Sequence, residues 1–184
     1  MNHKGHPAMR NKLIARCWLA GALFFSLAAS ALPEDSSQPI NIQSDRASQK
    51  SSADGIQTEY FGNVLMTQGS LKINGDHIVI HSKDQKVTSV LATGSPAMFE
   101  QKSDPVKAPI KARANQLDYQ LVSDTVILTD NATIVQNTST VSGKRIEYNI
   151  GSEHVKASGG SGDSSQVHMI LIPEAKANDS GKQP

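Results

Sequence analysis

Four histidines follow residue 31, at His77, His81, His154 and His168, and the first two have the four-residue step that paired metal ligands use on one helix face. On a strand, at roughly 3.3 Å per residue, that step is about 13 Å, too far to share an ion. The chain has no H-E-x-x-H run, no G-x-S-x-G elbow and no phosphate-cradling glycine loop. Its single cysteine, Cys17, closes off the cysteine-based zinc patterns. No bound metal, no cofactor and no enzymatic activity are therefore expected. Asp45 and Asp76 fall at matching positions of an internal repeat, which suggests a carboxylate pair, but Asn115 and Lys144 fill the same slot in the other copies. A corner role is the simpler expectation for that slot. The bases Lys72, Lys83, Lys86, Lys102, Lys107, Lys111 and Arg113 are interleaved with acids, and stacking aromatics are scarce, so nucleic acid is not an expected partner. Basic groups along one rim could still meet the phosphates of an anionic ligand.

With catalytic chemistry set aside, the elements themselves carry the information. Residues 1–31 hold Lys4, Arg10, Lys12 and Arg16 and no acid, run apolar from Cys17 to Ala29, and reach Ala29-Ser30-Ala31. A basic start, a short apolar stretch and an A-x-A site define a secretory signal peptide. The apolar stretch falls short of the roughly 20 residues of a membrane span; an uncleaved anchor is the alternative reading. Cleavage after Ala31 changes the formal charge from +1 to −3 and removes the only Cys and the only Trp. An exported, thiol-free, mildly acidic chain fits a bacterial periplasm and must be held by its core rather than by disulfides. Beyond Ala31 there are 13 Ile, 11 Val and 9 Thr against 8 Leu, a β-branched excess. Alternating apolar pairs such as Val64/Met66, Ile78/Ile80, Val126/Leu128 and Ile170/Ile172 are separated by turn-forming Gly, Asn and Asp at intervals of about 8–12 residues, as in all-β domains. The boundaries that follow are a signal peptide over 1–31, a flexible polar leader over 32–38, one β domain over 39–173 and a disordered polar tail over 174–184.

The β domain repeats itself. At an offset of 68, Asn63 meets Asn131, Met66 meets Ile134, Ile73 meets Val141, Gly75 meets Gly143 and Ile78 meets Ile146. A smaller unit recurs as Ile42–Ala47, Ile73–Ile78, Ala112–Leu117 and Val141–Ile146: an apolar or Ala residue, a small residue two later, an apolar residue five later. On a flat strand, residues five apart point to opposite faces, so a shared core requires a bend at the small residue. Ser44, Gly75, Ala114 and Gly143 are the expected bends. Bent antiparallel strands stacked in this way enclose one apolar interior, for which Val64, Met66, Ile73, Ile78, Ile80, Val90, Phe99, Leu117, Tyr119, Leu128, Ile134, Val141, Ile146 and Tyr148 are the expected inward residues. The interior is either a filled core or a groove for lipid chains, and composition does not separate the two. Such a stack leaves an edge at each end, and neither the polar leader nor the polar tail can cover one, which points either to end-to-end partners or to a tendency to polymerise.

Several segments resemble the OstA-like (LptA) family of periplasmic lipopolysaccharide-transport proteins. They are Gln38–Asp45, the Gly62-Asn63-Val64 step followed by Thr67-Gln68-Gly69, the run Leu71–Asn74 with Asp76, and Gly94, Pro96, Ala97 and Phe99. The likeness extends from about Gln38 to Pro173. It implies a twisted, open-ended antiparallel β-jelly-roll that stacks head to tail and bridges the two membranes, with the acyl chains of lipid A inside and the glycan outside. The implied partners are lipopolysaccharide, a membrane-anchored LptC-like protein upstream, an LptD-like outer-membrane protein downstream and further copies of the chain. Pro39, Ile40 and Ile42 then belong to the upstream edge, and Val167, Met169 and Leu171 to the downstream edge. A protein-binding adaptor with a filled core and a membrane-anchored LptC-like member of the same pathway are the other readings.

Overall fold

A computed structural model of the chain describes residues 35–102, 107–160 and 166–172. The signal peptide expected over 1–31 and the tail expected over 174–184 lie outside the described residues. Among the described residues a 3-10 turn, Asp35–Ser37, precedes ten strands: β1 (Asn41–Gln43), β2 (Arg46–Ser52), β3 (Gly55–Gln68), β4 (Leu71–Lys83), β5 (Lys86–Gln101), β6 (Ile110–Gln120), β7 (Thr125–Gln136), β8 (Ser139–Asn149), β9 (His154–Ser158) and β10 (His168–Ile170). Every pairing is antiparallel, in the order β1-β3-β4-β5-β6-β7-β8-β10, with β2 also on β3 and β9 also on β8. The sheet does not close on itself, as expected for an open-ended all-β fold.

The six central strands run 11 to 16 residues, longer than the turn spacing in the sequence implies, because several apparent turns lie within strands. Each ladder between β3 and β8 loses register near its middle: at Phe61/Val64, Asn74/His77, Thr93/Ala97, Arg113/Gln116 and Thr129/Ala132; the β4–β5 ladder shifts a second time near its end, at His81/Ser82. Two of these breaks are the same bulge, 68 residues apart. Gly62-Asn63 oppose Asp76 alone, and Asp130-Asn131 oppose Lys144 alone. Gly62, Asn63, Asp130 and Asn131 all have positive φ, the region that Gly, Asn and Asp enter most readily. The mid-ladder breaks line up into a crease that divides every long strand between two arms. One arm ends at the β3–β4 turn, the β7–β8 turn and the β5–β6 loop. The other ends at the β2–β3, β4–β5, β6–β7 and β8–β9 turns.

The four small residues expected at bends sit on this crease. Ser44 falls between β1 and β2, and Gly75, Ala114 and Gly143 lie at the breaks of β4, β6 and β8. The slot of Asp45 is structural: its N–H is shared between the carbonyls of Phe61 and Gly62, both at 3.1 Å, and its carboxylate accepts a bond from Asn63 Nδ2 at 3.1 Å. The arms fold onto each other about the crease. Phe99 in one arm meets Tyr119 in the other edge-on, with ring centroids 5.8 Å apart. Lys107, before β6, reaches Glu153 in the β8–β9 turn at 3.2 Å across the mouth between the arm tips.

Within the leader expected over 32–38, Asp35–Gln38 is tied down. Asp35 accepts bonds from the N–H and hydroxyl of Ser70, both at 2.7 Å, and from Gln101 Nε2 at 2.9 Å. Gln68 Nε2 donates to the carbonyls of Ser36 and Gln38. This turn therefore fastens the chain's entry to the tip of the first arm.

Candidate functional site: the interior and the two free edges

Antiparallel register turns single apolar residues into continuous rows. In the first arm one row reads Ile42, Met66, Ile73, Phe99, Ala112, Ile134, Val141, Met169, from β1 to β10. In the second arm two rows face it: Ala47, Tyr60, Ile78, Ala92, Leu117, Leu128, Ile146, Ala157, and beyond it Ile80, Val90, Tyr119, Val126, Tyr148, Val155. All fourteen inward residues expected from the sequence lie in one apolar cluster, none more than 6% exposed. At about 1.5–3 kcal/mol per fully buried aliphatic side chain, these rows are the main stabilising term of the fold. The structure adds Leu71, Ala92, Ala97, Ile110, Ala112, Ala114, Val126, Ala132 and Ile150 to the cluster.

The rows reach free edges at both ends, and the edges differ. Ile40 and Ile42 are half-buried against the cluster, while Pro39 is exposed. Every residue of β2 is exposed, and the strand is polar apart from Ala47. At the other end, Val167, Met169 and Leu171 are exposed, Met169 by 57% and Leu171 by 66%, and Ile170 and Ile172 are exposed as well. Met169 extends the inner row one strand past Val141, and among the described residues no strand pairs beyond it. Exposed apolar strand edges of this kind are rare unless they pair with something.

The mouth between the arms is polar. Tyr119 donates its phenol proton to Asp124 Oδ1 at 3.0 Å. Burial, and then the Asp124 carboxylate, push the Tyr119 phenol well above the ordinary tyrosine range. Tyr148 is pushed up to about 12, chiefly by burial and then by the negative charges of Glu153 and Asp124. Sequence alone does not point to Asp35, Gln101, Lys107 or Glu153, because Asp35 meets Ser70 and Gln101 only through strand pairing far along the chain, and Lys107 meets Glu153 only across the mouth; the Tyr119–Asp124 bond is local, within the β6–β7 hairpin.

The other sequence candidates are placed elsewhere. His77 Nε2 lies 3.2 Å from Glu59 Oε2, and its ring stacks on Phe61 at 4.3 Å, so its surroundings are those of an ordinary surface pair. Among the described residues, no group of three or more His, Cys, Asp or Glu could hold a metal. Lys72, Lys111 and Arg113 line a shallow groove of about 450 Å³ on the outer face of the first arm, with Met98 and Val135. Lys111 there pairs with Glu100 at 3.7 Å.

An open, creased antiparallel sheet with an apolar interior running edge to edge defines an open-ended all-β class of protein. Residues 41–154 match the family described as LptA/(LptD N-terminal domain) LPS transport protein. The lipopolysaccharide export system protein LptA of Escherichia coli K12 is 34% identical over 179 residues, covering 95% of this chain and 94% of that one. LptH of Pseudomonas aeruginosa PAO1, also named as a lipopolysaccharide export system protein, is 33% identical over 165 residues, covering 86% of this chain and 93% of its own. A crystal structure of LptH, described as the LptA-homologous periplasmic component of the lipopolysaccharide transport device of Pseudomonas aeruginosa, superposes with a TM-score of 0.69 at 29% identity, over 77% of this chain and all of that one. The chain belongs to the LptA/LptD N-terminal domain family of lipopolysaccharide transport proteins.

Proposed function

We propose that this chain is a non-enzymatic periplasmic carrier that holds the acyl chains of lipopolysaccharide between its arms. In this reading it stacks head to tail, with further copies of itself, with an LptC-like inner-membrane protein upstream and with an LptD-like outer-membrane protein downstream. The observation that carries the reading is the inner row from Ile42 to Met169. Because the row reaches both edges, a strand added at either edge prolongs the apolar interior as well as the backbone ladder. Strand addition needs only backbone bonds and alternating side chains, which the edges supply. Pro39, Ile40 and Ile42 are assigned to the upstream contact, and Val167, Met169 and Leu171 to the downstream contact. Transport is then driven by energy supplied elsewhere. Export by a signal peptide cleaved after Ala31 belongs to the same reading, and the intact mass of the exported protein checks it: a chain starting at Leu32 is expected, and a retained first segment would point to an anchored protein instead.

One observation favours a second reading. The interior is densely buried, which suits an adaptor that binds proteins at its edges over a filled core. Photoreactive residues introduced at Phe99 and Ile134, with exposed Val122 as the comparison, separate the two. Adducts with lipopolysaccharide in living cells are expected at the interior positions. Adducts confined to Val122 would remove the carrier reading and leave the adaptor.

A further inference from the structure

The methionines at Met66, Met98 and Met169 occupy three different settings. Met66 is fully enclosed in the inner row of the first arm, in register with Ile42 on one side and Ile73 on the other. Met98 is 49% exposed, but it alternates onto the outer face, between Asn74 and Arg113, away from either free edge. Met169 is 57% exposed and stands at the far end of the same inner row as Met66, in register with Val141. Exposure and a place in the inner row coincide at Met169 alone of the three.

A thioether is oxidised by hydroperoxides, and access decides which one reacts. The O–O bond breaks, one oxygen bonds to sulfur, and the peroxide leaves as water or an alcohol. Sulfur loses two electrons and the peroxide gains them. Val167, Ile170, Leu171 and Ile172 are exposed beside Met169, but they hold no group that a hydroperoxide attacks. The product is a sulfoxide, a polar side chain in place of an apolar one. In the single chain that group faces water, where it is well solvated. In an edge-to-edge joint it would lie on the apolar row next to Val141, where an acceptor without a partner is disfavoured.

We infer that Met169 is a modification site for hydroperoxides, and that its conversion to the sulfoxide closes the C-terminal edge to a further copy of the chain. Such a site rests on the edge pairing proposed above and adds to it a means of taking one end out of use. Pairing buries Met169, so the reagent reaches it at open ends, and a formed joint shields its own thioether. Oxidation therefore stops growth without cutting stacks already made, and enzymatic reduction of the sulfoxide reopens the end. Pro39, Ile40 and Ile42 at the opposite edge carry no sulfur, so the effect falls on one end only.

The test treats the purified protein with dilute hydrogen peroxide. Peptide mass mapping follows each methionine, sedimentation velocity follows association, and thermal unfolding follows the fold. Sulfoxide is expected at Met98 and Met169 and not at Met66, and association should weaken about ten- to a hundredfold. As protein concentration rises, sulfoxide at Met169 should fall relative to that at Met98, because association shields only the former. Met98→Leu should stay sensitive to peroxide, whereas Met169→Leu, a swap of similar volume, should associate normally before and after treatment. Met169→Gln, which sets a polar acceptor there without any oxidant, should weaken association to a similar degree. Unchanged association with Met169 fully converted to the sulfoxide would overturn the site, as would an equal peroxide effect in Met169→Leu. Sulfoxide at Met66 with a lowered melting temperature would place the effect in the core and overturn it as well. Untreated protein that stays monomeric at every concentration would instead remove the edge pairing itself, and the site's role with it.

Discussion

Exchanging Met169 and Leu171 together for aspartate is expected to abolish association through the C-terminal edge while leaving the folded chain as stable as before. Both residues alternate onto the inner side of the edge segment, Met169 in register with Val141, and both are more than half exposed in the single chain. A substitution at such positions changes stability by only about 0.5 kcal/mol or less. In a stack the same positions become interior, where an unpaired carboxylate is strongly disfavoured. A loss of about 3 kcal/mol or more in association follows, roughly 100-fold or greater. Sedimentation velocity across a concentration series, with thermal unfolding alongside, reads both quantities. Oligomers persisting at unchanged concentration would show that this edge does not pair. The opposite edge makes a less clean experiment. Ile42→Asp strikes a residue packed against the chain's own cluster, so it weakens the fold and the contact together.

The second large effect concerns the crease. Gly75→Val is expected to destabilise the protein by about 2–4 kcal/mol, the range seen when a packed site is overfilled and its backbone must shift. A Cβ at Gly75 would sit 2.8 Å from the carbonyl oxygen of Thr93 and 3.6 Å from Ala92 Cβ. The first is a ladder atom of the neighbouring strand that cannot swing aside, and valine adds two methyl groups beyond the Cβ. Opening the crease there separates rows that make up the cluster in both arms. At about 2–4 °C per kcal/mol for a chain of this size, the melting temperature should fall by roughly 10 °C. A fall of less than about 2 °C would mean the bend is not fixed at this point. Ala114 shows that the device tolerates a Cβ where the neighbouring backbone leaves room, since alanine already stands at the corresponding bend of β6.

The repeat at an offset of 68 was legible because it reflects one physical requirement, a bulge that brings residues five apart onto a common face. The pairs Asn63/Asn131 and Ile73/Val141 mark that requirement directly. The fourteen inward residues followed from the same alternation, since burial on a half-covered sheet obeys a period of two. Strand length was harder to see. Gly75, Gly94 and Asn131 carry turn chemistry, and only the pairing on both sides of each shows that the strand continues through it. Asp35 was harder still. Its place at the arm tip depends on Ser70 and Gln101, which lie 35 and 66 residues away, and nothing local in a polar leader announces such a bond. Ile150 and Ile110 flank turns, where alternation stops and burial depends on how the tips meet. The differing character of the edges could be seen in part, through the apolar run Val167–Ile172, but not the half-burial of Ile40 and Ile42.

That difference between edges fixes the symmetry any homopolymer of this chain can have. A two-fold pair sets identical surfaces against each other and stops at two. Joining the β1 end of one copy to the β10 end of the next sets unlike surfaces together, leaves one of each kind unused, and can repeat without limit. A filament built this way has a front and a back and contains no feature that counts its subunits. Its direction is written in each copy, whereas its length must be imposed from outside, by the supply of copies and by whatever end-pieces present one of the two surfaces but not the other.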